Sequence, residues 1–293
     1  MGAIGHVVER ALADRADIVP IDRTHAPRRR GEPPVDAAFI CVKTHGTAWA
    51  ADVATRVLRK DGVAVTIQNG LGNYETLRDA VGRDRAAVGV IYVGARLDET
   101  GELQATGPGR VEIGPPGGAL PLHVLGELAT SLAAGGMSVS AVDDPWPSVW
   151  RKVAANAAMN PTTALLGYTN AELAADDAAA RVADALAAEA ARVATAAGVP
   201  LGEDEARRSW REVARLTGPN RSSMLQDVQS GRPTEIDAIC GAVYREGERR
   251  GVTTPLNQAM TVLVSALGPE HAQRPPPAPP GSPNVWTGGP LAK

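Results

Sequence analysis

Three polar side chains recur at regular spacing in the apolar segment WRKVAANAAMNP, residues 150–161. Read as a helix, the segment places Lys152, Asn156 and Asn160 four residues apart on one face. Buried polar groups without partners cost about 1–3 kcal/mol each, so this row needs solvent, a neighbouring loop or a ligand. One ammonium and two carboxamides suit a small ligand that carries carbonyl, hydroxyl and carboxylate groups.

A hydroxyl pair and a carboxylate occur in a second polar stretch, closer to the carboxyl terminus. Ser222 and Ser223 lie near the start of one predicted short helix, and Glu235 follows Pro233 in the first turn of the next. Proline and acidic residues both favour the start of a helix, so capping alone accounts for Glu235 equally well. Binding of the same small ligand is the other interpretation of this carboxylate.

Four more short segments accompany these two in a fixed order along the chain. They are Val42–Thr44, Gln68–Asn73, Thr106–Gly114 and Asn170–Leu173. Together with the first two, they resemble the ketopantoate reductase (2-dehydropantoate 2-reductase) family, from about residue 2 to about residue 267. The resemblance implies NADPH-dependent reduction of the 2-keto acid 2-dehydropantoate to pantoate, a step in the biosynthesis of pantothenate and coenzyme A.

The resemblance also implies roles for individual residues. Lys152 would stabilise the negative charge that grows on the substrate oxygen and deliver a proton to it. Glu235 would be the second catalytic residue, orienting a substrate hydroxyl and touching the cofactor ribose. Two alternatives stay open: a reductase of another small 2-keto acid, and a non-catalytic relative with an impaired cofactor site. The implied substrate-binding residues are Asn69, Asn156, Asn160, Asn170 and Ser223.

The amino-terminal region departs from the pattern of nucleotide-binding folds. Such folds open with a strand, a G-x-G-x-x-G loop and a helix whose N-terminus receives the pyrophosphate. Gly2 and Gly5 match the second and third glycines by resemblance, whereas the first glycine and the first strand are absent. Either the true polypeptide begins upstream of Met1, or the second and fourth strands close the gap and the cofactor site is degraded.

The residues after the predicted strand at 17–21, which corresponds to the second strand of the usual fold, indicate the type of cofactor. Arg23 at this position favours NADP (NADPH), because an arginine meets the 2′-phosphate where an acidic residue would hold the NAD ribose. Asp22 beside it keeps NAD as the less favoured alternative. The further cofactor contacts implied by the resemblance are Lys43, Asn69, Ala95 and Glu235.

The order of predicted elements indicates an α/β protein with a doubly wound, Rossmann-like first domain that lacks its first strand. Two short strands near 102–106 and 110–113 are predicted to form a hairpin. The other predicted strands lie at 17–21, 37–42, 63–67, 87–93 and 137–142. The helices predicted between them lie at 47–59, 73–81 and 121–133.

The strand signal stops where the composition changes near Asp143 and Asp144. We therefore predict a dinucleotide-binding domain at 1–144, a helical substrate domain at 145–268, and a Pro- and Gly-rich disordered tail at 269–293. Small residues in the helical half would also allow a homodimer, and the oligomeric state is open. The helices predicted there lie at 147–166, 177–197, 203–216, 233–250 and 255–267.

Composition argues against several other classes of protein. Hydrophobic residues form 44% of the chain but aromatic residues only 3%, so small aliphatic side chains must fill the core. The net charge of −3 gives no electrostatic case for nucleic acid or an anionic membrane. Two cysteines, with no long apolar stretch and no signal peptide, predict a cytoplasmic protein. The five histidines show no paired-ligand spacing, so we predict no metal site.

Overall fold

The computed structural model describes residues 2–22, 34–98, 100–105 and 109–267. The predicted α/β fold class is confirmed, with a sheet in the first half and helices in the second. The strands are β1 (Val35–Ile40), β2 (Leu58–Thr66), β3 (Ala86–Tyr92), β4 (Ala95–Leu97), β5 (Leu103–Ala105), β6 (Arg110–Gly114) and β7 (Ser138–Ala141). The helices of this half are α1 (Ala3–Leu12), α2 (Thr47–Val57), α3 (Asn73–Val81) and α4 (Leu122–Ala134).

The main sheet has the strand order β1-β2-β3-β6-β7. Strands β1, β2 and β3 are parallel, so their carboxyl ends share one edge of the sheet. Strand β6 runs antiparallel to β3, and β7 is parallel to β6. A parallel return needs a long crossover, usually a helix, whereas only the short strands β4 and β5 separate β3 from β6. The chain therefore returns antiparallel, and the sheet is not wholly parallel as predicted.

The predicted hairpin of strands near 102–106 and 110–113 is wrong. Strand β5 pairs antiparallel with β4 in a separate two-stranded sheet, with Ala95 opposite Ala105. Strand β6 instead lies between β3 and β7. Burial of Val111 and Ile113 in the core explains this choice, because a two-stranded hairpin would leave both side chains half-covered.

The predicted strand at 17–21 is also wrong. These residues adopt neither strand nor helix, and within the described parts of the chain β1 pairs only with β2. Strand β1 is therefore an edge strand there, and the hypothesis that this segment closes the gap beside it is not what the structure shows. Pro20 lacks a backbone N–H, which disfavours a place inside a hydrogen-bonded ladder.

Alanine-rich helices form the second half of the molecule, as predicted. Helix α5 packs along α7, whose buried face carries Ala183, Ala187 and Ala190, each fully covered. Such small side chains let two helix backbones approach closely. The helices are α5 (Trp146–Leu166), α6 (Asn170–Ala175), α7 (Asp177–Ala196), α8 (Glu203–Leu216), α9 (Ser223–Gln229), α10 (Ile236–Arg250) and α11 (Pro255–Ser265).

One hydrophobic cluster runs through both halves, from Ala64 and Val88 in the sheet to Val153 in α5 and Trp210 in α8. A second cluster covers the other face of the sheet, where α1 packs beside α4. Because the first core is shared, the division at residue 144 stays a prediction. In the described part of the chain, no helix combines the length and the apolar character needed to span a bilayer.

Candidate active site

The polar row on α5 faces the carboxyl edge of the sheet. The Nζ atom of Lys152 donates a hydrogen bond of 2.7 Å to the carbonyl oxygen of Ile91, next to the end of β3. Asn156 is half-buried one turn later, and Asn160 is buried after a further turn. Neither carboxamide forms a hydrogen bond to any other residue that the structure describes. The two amides are therefore available to a bound molecule.

Lys152 has an unusually acidic ammonium. Burial lowers its pKa to about 8, and the negative charge of Glu235 opposes this shift. A group with this pKa is mostly protonated at neutral pH yet loses its proton easily, which suits a general acid. The effect of Glu235 on the pKa of Lys152 also shows that the ammonium lies within reach of the charge of that carboxylate.

Glu235 is the buried residue that immediately precedes α10, and it binds the ends of two strands. Its Oε1 accepts hydrogen bonds from Thr44, at 3.3 Å from the backbone N and 3.2 Å from Oγ1. Its Oε2 accepts from Nδ2 of Asn69 at 3.2 Å and lies 3.5 Å from Nζ of Lys43. The structure thus brings Lys43, Asn69 and Glu235 together, from positions that follow β1, follow β2 and precede α10.

Asp227 on α9 is a residue of this cluster to which the sequence analysis gave no role. Its Oδ2 accepts a hydrogen bond of 2.8 Å from Nζ of Lys43, and its Oδ1 accepts one of 3.2 Å from Arg232. Burial disfavours the charge on Lys43, but Glu235 and Asp227 outweigh it and raise its pKa. Lys43 therefore stays cationic between two carboxylates. The spacing offered one signal, because Asp227 lies one helical turn after Ser223.

Comparison with known proteins decides the family. The sequence matches the family described as "Ketopantoate reductase PanE/ApbA" over residues 5–118 and "Ketopantoate reductase PanE/ApbA C terminal" over 146–268. This chain belongs to the ketopantoate reductase family. It is 35% identical over 230 residues to the 2-dehydropantoate 2-reductase of Halobacterium salinarum, covering 78% of this chain and 75% of that protein. It is 38% identical over 220 residues to the Pyrobaculum aerophilum enzyme of the same name, covering 74% of each.

An enzyme with a different name, whose structure has been solved, has the same fold. D-mandelate dehydrogenase, in a ternary structure with NADH and anilino(oxo)acetate, superposes with a TM-score of 0.76 at 26% identity. The alignment covers 82% of this chain and 78% of that one. The ketopantoate reductase family therefore shares its two-part architecture with an enzyme named for another substrate.

The remaining substrate residues implied by the ketopantoate reductase resemblance, Ser223 and Asn170, have different surroundings. Ser223, the first residue of α9, is exposed, whereas Ser222 caps that helix by accepting from the backbone N of Leu225. Asn170 is buried, and its Nδ2 donates a hydrogen bond of 2.8 Å to Oγ1 of Thr217. Asn170 thus holds the loop before α9 and contacts none of the polar residues on α5, so its predicted role in substrate binding stays a prediction.

The implied cofactor residues divide between the cluster and the first helix. Gly2 precedes α1 with no side chain to cap it, and Gly5 is buried in the same helix. A bare helix N-terminus fits a pyrophosphate, because its free N–H groups attract negative charge. Ala95 begins β4, directly after the carboxyl end of β3. Arg23 lies outside the described residues. The described positions at the start of α1 and after β3 fit a dinucleotide.

No metal centre is formed by the residues that the structure describes, since none of their His, Cys, Asp and Glu side chains gather in threes. The two cysteine thiols are bonded elsewhere: Sγ of Cys41 donates to the carbonyl oxygen of Phe39, and Sγ of Cys240 donates to that of Ala157. Burial raises the pKa of the Cys41 thiol to about 12 and raises that of Cys240 as well, so both are poor nucleophiles. The two cysteines therefore supply no nucleophile to the cluster around Glu235.

Gly70 holds the loop after β2 against α10, and its substitution is expected to disturb the site. Its φ of 84° is left-handed, and an added Cβ would overlap the carbonyl group of Ala238, to which Leu71 donates a hydrogen bond of 2.9 Å. We expect Gly70→Ala to destabilise the fold by about 2–3 kcal/mol, lowering Tm by about 4–10 °C. It should also lower kcat/KM about tenfold by moving Asn69 from Glu235.

Gly72 supplies a matched control for this prediction. Its φ of 89° imposes the same backbone strain, but nothing lies within 4 Å of an added Cβ. Gly72→Ala should therefore cost only about 1 kcal/mol and leave kcat/KM nearly unchanged. Thermal unfolding and steady-state kinetics of both variants provide the measurement. Equal losses in the two variants would show that contact with α10 is unimportant.

Proposed function

We propose that this protein reduces 2-dehydropantoate to pantoate with NADPH. The relatives named 2-dehydropantoate 2-reductase support this substrate. The observation that carries the proposal is that Lys152, an ammonium with a pKa lowered to about 8, lies within reach of the charge of the buried carboxylate of Glu235. A proton donor within electrostatic reach of a hydroxyl acceptor matches the keto and hydroxyl groups of this substrate.

The reaction needs a hydride at the carbonyl carbon and a proton at the carbonyl oxygen. NADPH, when bound, supplies the hydride. Lys152 attracts the growing negative charge on the oxygen and donates its proton there, and solvent then reprotonates the amine. The carboxamides of Asn156 and Asn160 hold substrate oxygens, and Ser223 donates its hydroxyl to the substrate carboxylate. Glu235 accepts a hydrogen bond from the substrate hydroxyl.

The cofactor would be held by residues at the carboxyl edge of the sheet and at α1. Lys43 and Asn69 follow β1 and β2, in the place where open α/β sheets bind ligands. Arg23 favours NADPH over NADH, and Arg23→Ala should lower the ratio of kcat/KM with NADPH to kcat/KM with NADH. Because the similar D-mandelate dehydrogenase structure contains NADH, the activity with NADPH should be compared with the activity with NADH. The cytoplasmic location and the homodimer also stay predictions.

The decisive experiment measures NADPH oxidation by the purified protein with a panel of 2-keto acids. We expect 2-dehydropantoate to give the highest kcat/KM, and NADPH to exceed NADH. A higher kcat/KM with an aryl 2-keto acid would favour the second candidate, a reductase of another 2-keto acid, which the likeness to D-mandelate dehydrogenase supports. Failure of the protein to enhance NADPH fluorescence, together with no turnover, would favour a non-catalytic relative.

The pH dependence of the reduction should follow the protonation of Lys152. Because its pKa is lowered to about 8, the ammonium form predominates below that pH and is lost as the pH rises above it. We therefore expect kcat/KM for 2-dehydropantoate to be flat between about pH 6 and 7.5 and to fall about tenfold per unit above about pH 8. A profile unchanged up to pH 10 would mean that Lys152 is not the proton donor.

A further inference from the structure

Tyr92 ends β3 and lies beside Lys152. Its hydroxyl donates a hydrogen bond of 3.4 Å to the carbonyl oxygen of Ser148, one helical turn before Lys152 on α5. The Nζ atom of Lys152 lies 5.9 Å from the centre of the Tyr92 ring. The adjacent carbonyl of Ile91 accepts the hydrogen bond from the same ammonium. Tyr92 therefore packs against α5 between Ser148 and the side chain of Lys152.

Arg110 also contacts the Tyr92 ring, and two further contacts connect Arg110 back to Ser148. The guanidinium of Arg110 lies 4.2 Å from the ring centre, and strand register places Arg110 directly opposite Tyr92. Arg110 pairs with Glu112 at 2.8 Å, and Glu112 accepts a hydrogen bond from Oγ of Ser148. These four residues, which we call the Tyr92 network, form a closed circuit that joins β3 and β6 to the first turns of α5.

The Tyr92 network constrains the side chain of Lys152, which is otherwise flexible. A lysine has four rotatable bonds, and a proton donor must be held close to its productive position. The carbonyl of Ile91 fixes one direction for the ammonium of Lys152, and the face of Tyr92 supplies a second attraction, since aromatic faces attract ammonium ions within about 6 Å. Burial raises the pKa of the Tyr92 phenol, so it remains a neutral hydrogen-bond donor to Ser148.

We propose that Tyr92 is a positioning residue for the proton donor: its ring confines the ammonium of Lys152, and Arg110, Glu112 and Ser148 hold the ring. The proposal rests on the proposed reductase function and deepens it. The charged or titratable groups around the ammonium are Glu235 from α10, Tyr92 from β3, Tyr74 and Glu75 from α3, which line the same cavity as Lys152, and, beyond the ring, Arg110 and Glu112 from β6. The uncharged face of Tyr92 lies 5.9 Å from the ammonium.

The test compares Tyr92→Leu, which removes the ring, with Tyr92→Phe, which keeps the ring and loses only the bond to Ser148. We expect Tyr92→Leu to lower kcat about tenfold with little change in KM for NADPH. The alkaline limb of the pH profile should move several tenths of a unit to lower pH, because the ammonium loses an attraction that favours its charged form. Tyr92→Phe should retain kcat within about threefold and keep the limb in place.

Two results would overturn the proposal. One is a Tyr92→Leu enzyme with unchanged kcat and pH profile, or with a lower Tm as its only defect, which is what a purely structural role predicts. The other is a Tyr92→Phe enzyme as impaired as Tyr92→Leu. If the leucine variant fails to fold, Tyr92→Met offers a flexible non-aromatic side chain of similar length for the same comparison.

A readout without substrate separates this proposal from the proposed function. The chain contains only four lysines, at 43, 60, 152 and 293, so the Cε signals of ¹³C-labelled lysine can be assigned by substitution and titrated by NMR. The pKa of Lys152 should fall in Tyr92→Leu and stay unchanged in Tyr92→Phe. An inactive wild-type protein would end the reductase proposal, whereas an unchanged Lys152 titration in Tyr92→Leu would end the positioning proposal alone.

Discussion

A Lys152→Ala enzyme is expected to lose about three orders of magnitude in kcat while binding NADPH nearly as well as the wild type. Loss of a positioned general acid typically costs 10²- to 10⁴-fold, and loss of charge stabilisation at the reacting oxygen acts on the same step. The cofactor contacts proposed here lie at Lys43, Asn69 and α1, so the Kd for NADPH should change little. Rapid-reaction kinetics of NADPH oxidation and a fluorescence titration measure the two quantities separately.

Lys60→Ala is the matched control for this variant. Lys60 is exposed on β2, away from the cluster, and its removal changes the net charge by the same amount. It should leave kcat and the Kd for NADPH unchanged. A Lys152→Ala enzyme that kept kcat within a few-fold of wild type would remove Lys152 from the chemical step. A large loss confined to the Kd for NADPH would instead place Lys152 among the cofactor contacts.

Local patterns in the sequence predicted the parts of the site that each lie on one element. The four-residue spacing of Lys152, Asn156 and Asn160 predicts a common helical face, and α5 is that helix. Residues that follow buried parallel strands are expected to lie at one edge of the sheet. Lys43 and Asn69 do lie there, and both contact Glu235. That meeting across the chain came from the family resemblance, because spacing alone left Glu235 equally well explained as a helix cap.

Contacts between elements could not be predicted in the same way. Asp227 pairs with Lys43 only because α9, which packs on α5, carries it to the carboxyl edge of the sheet. The circuit of Tyr92, Arg110 and Ser148 depends on the pairing of β6 with β3. The sequence instead predicted that β6 would pair with β5 in a hairpin. Short apolar strands carry too little pattern to identify their partners, because pairing is decided by which arrangement buries their side chains. The same ambiguity produced the wrong strand at 17–21.

Glu235→Ala is expected to lower kcat/KM for 2-dehydropantoate about 100-fold. In the structure the carboxylate accepts three hydrogen bonds of 3.2–3.3 Å from Thr44 and Asn69, and Lys43 stands at 3.5 Å. A carboxylate has about four acceptor sites, so a substrate hydroxyl would compete with the more distant ammonium of Lys43 for the fourth. A hydrogen bond to a charged group contributes about 1.5–3 kcal/mol, which corresponds to about 10- to 150-fold in kcat/KM. Steady-state kinetics measure this loss.

A substrate without the hydroxyl shows whether Glu235 acts through that group. Wild-type enzyme should prefer 2-dehydropantoate over its dimethyl 2-keto analogue lacking the hydroxyl by about 100-fold, since a site built to bind a hydroxyl rejects ligands that lack it. Glu235→Ala should abolish most of this preference. Asp237→Ala, which removes an exposed carboxylate from the same helix, should retain it. If Glu235→Ala slowed both substrates equally, the carboxylate would act on the cofactor or on the charge of Lys152 rather than on the substrate hydroxyl.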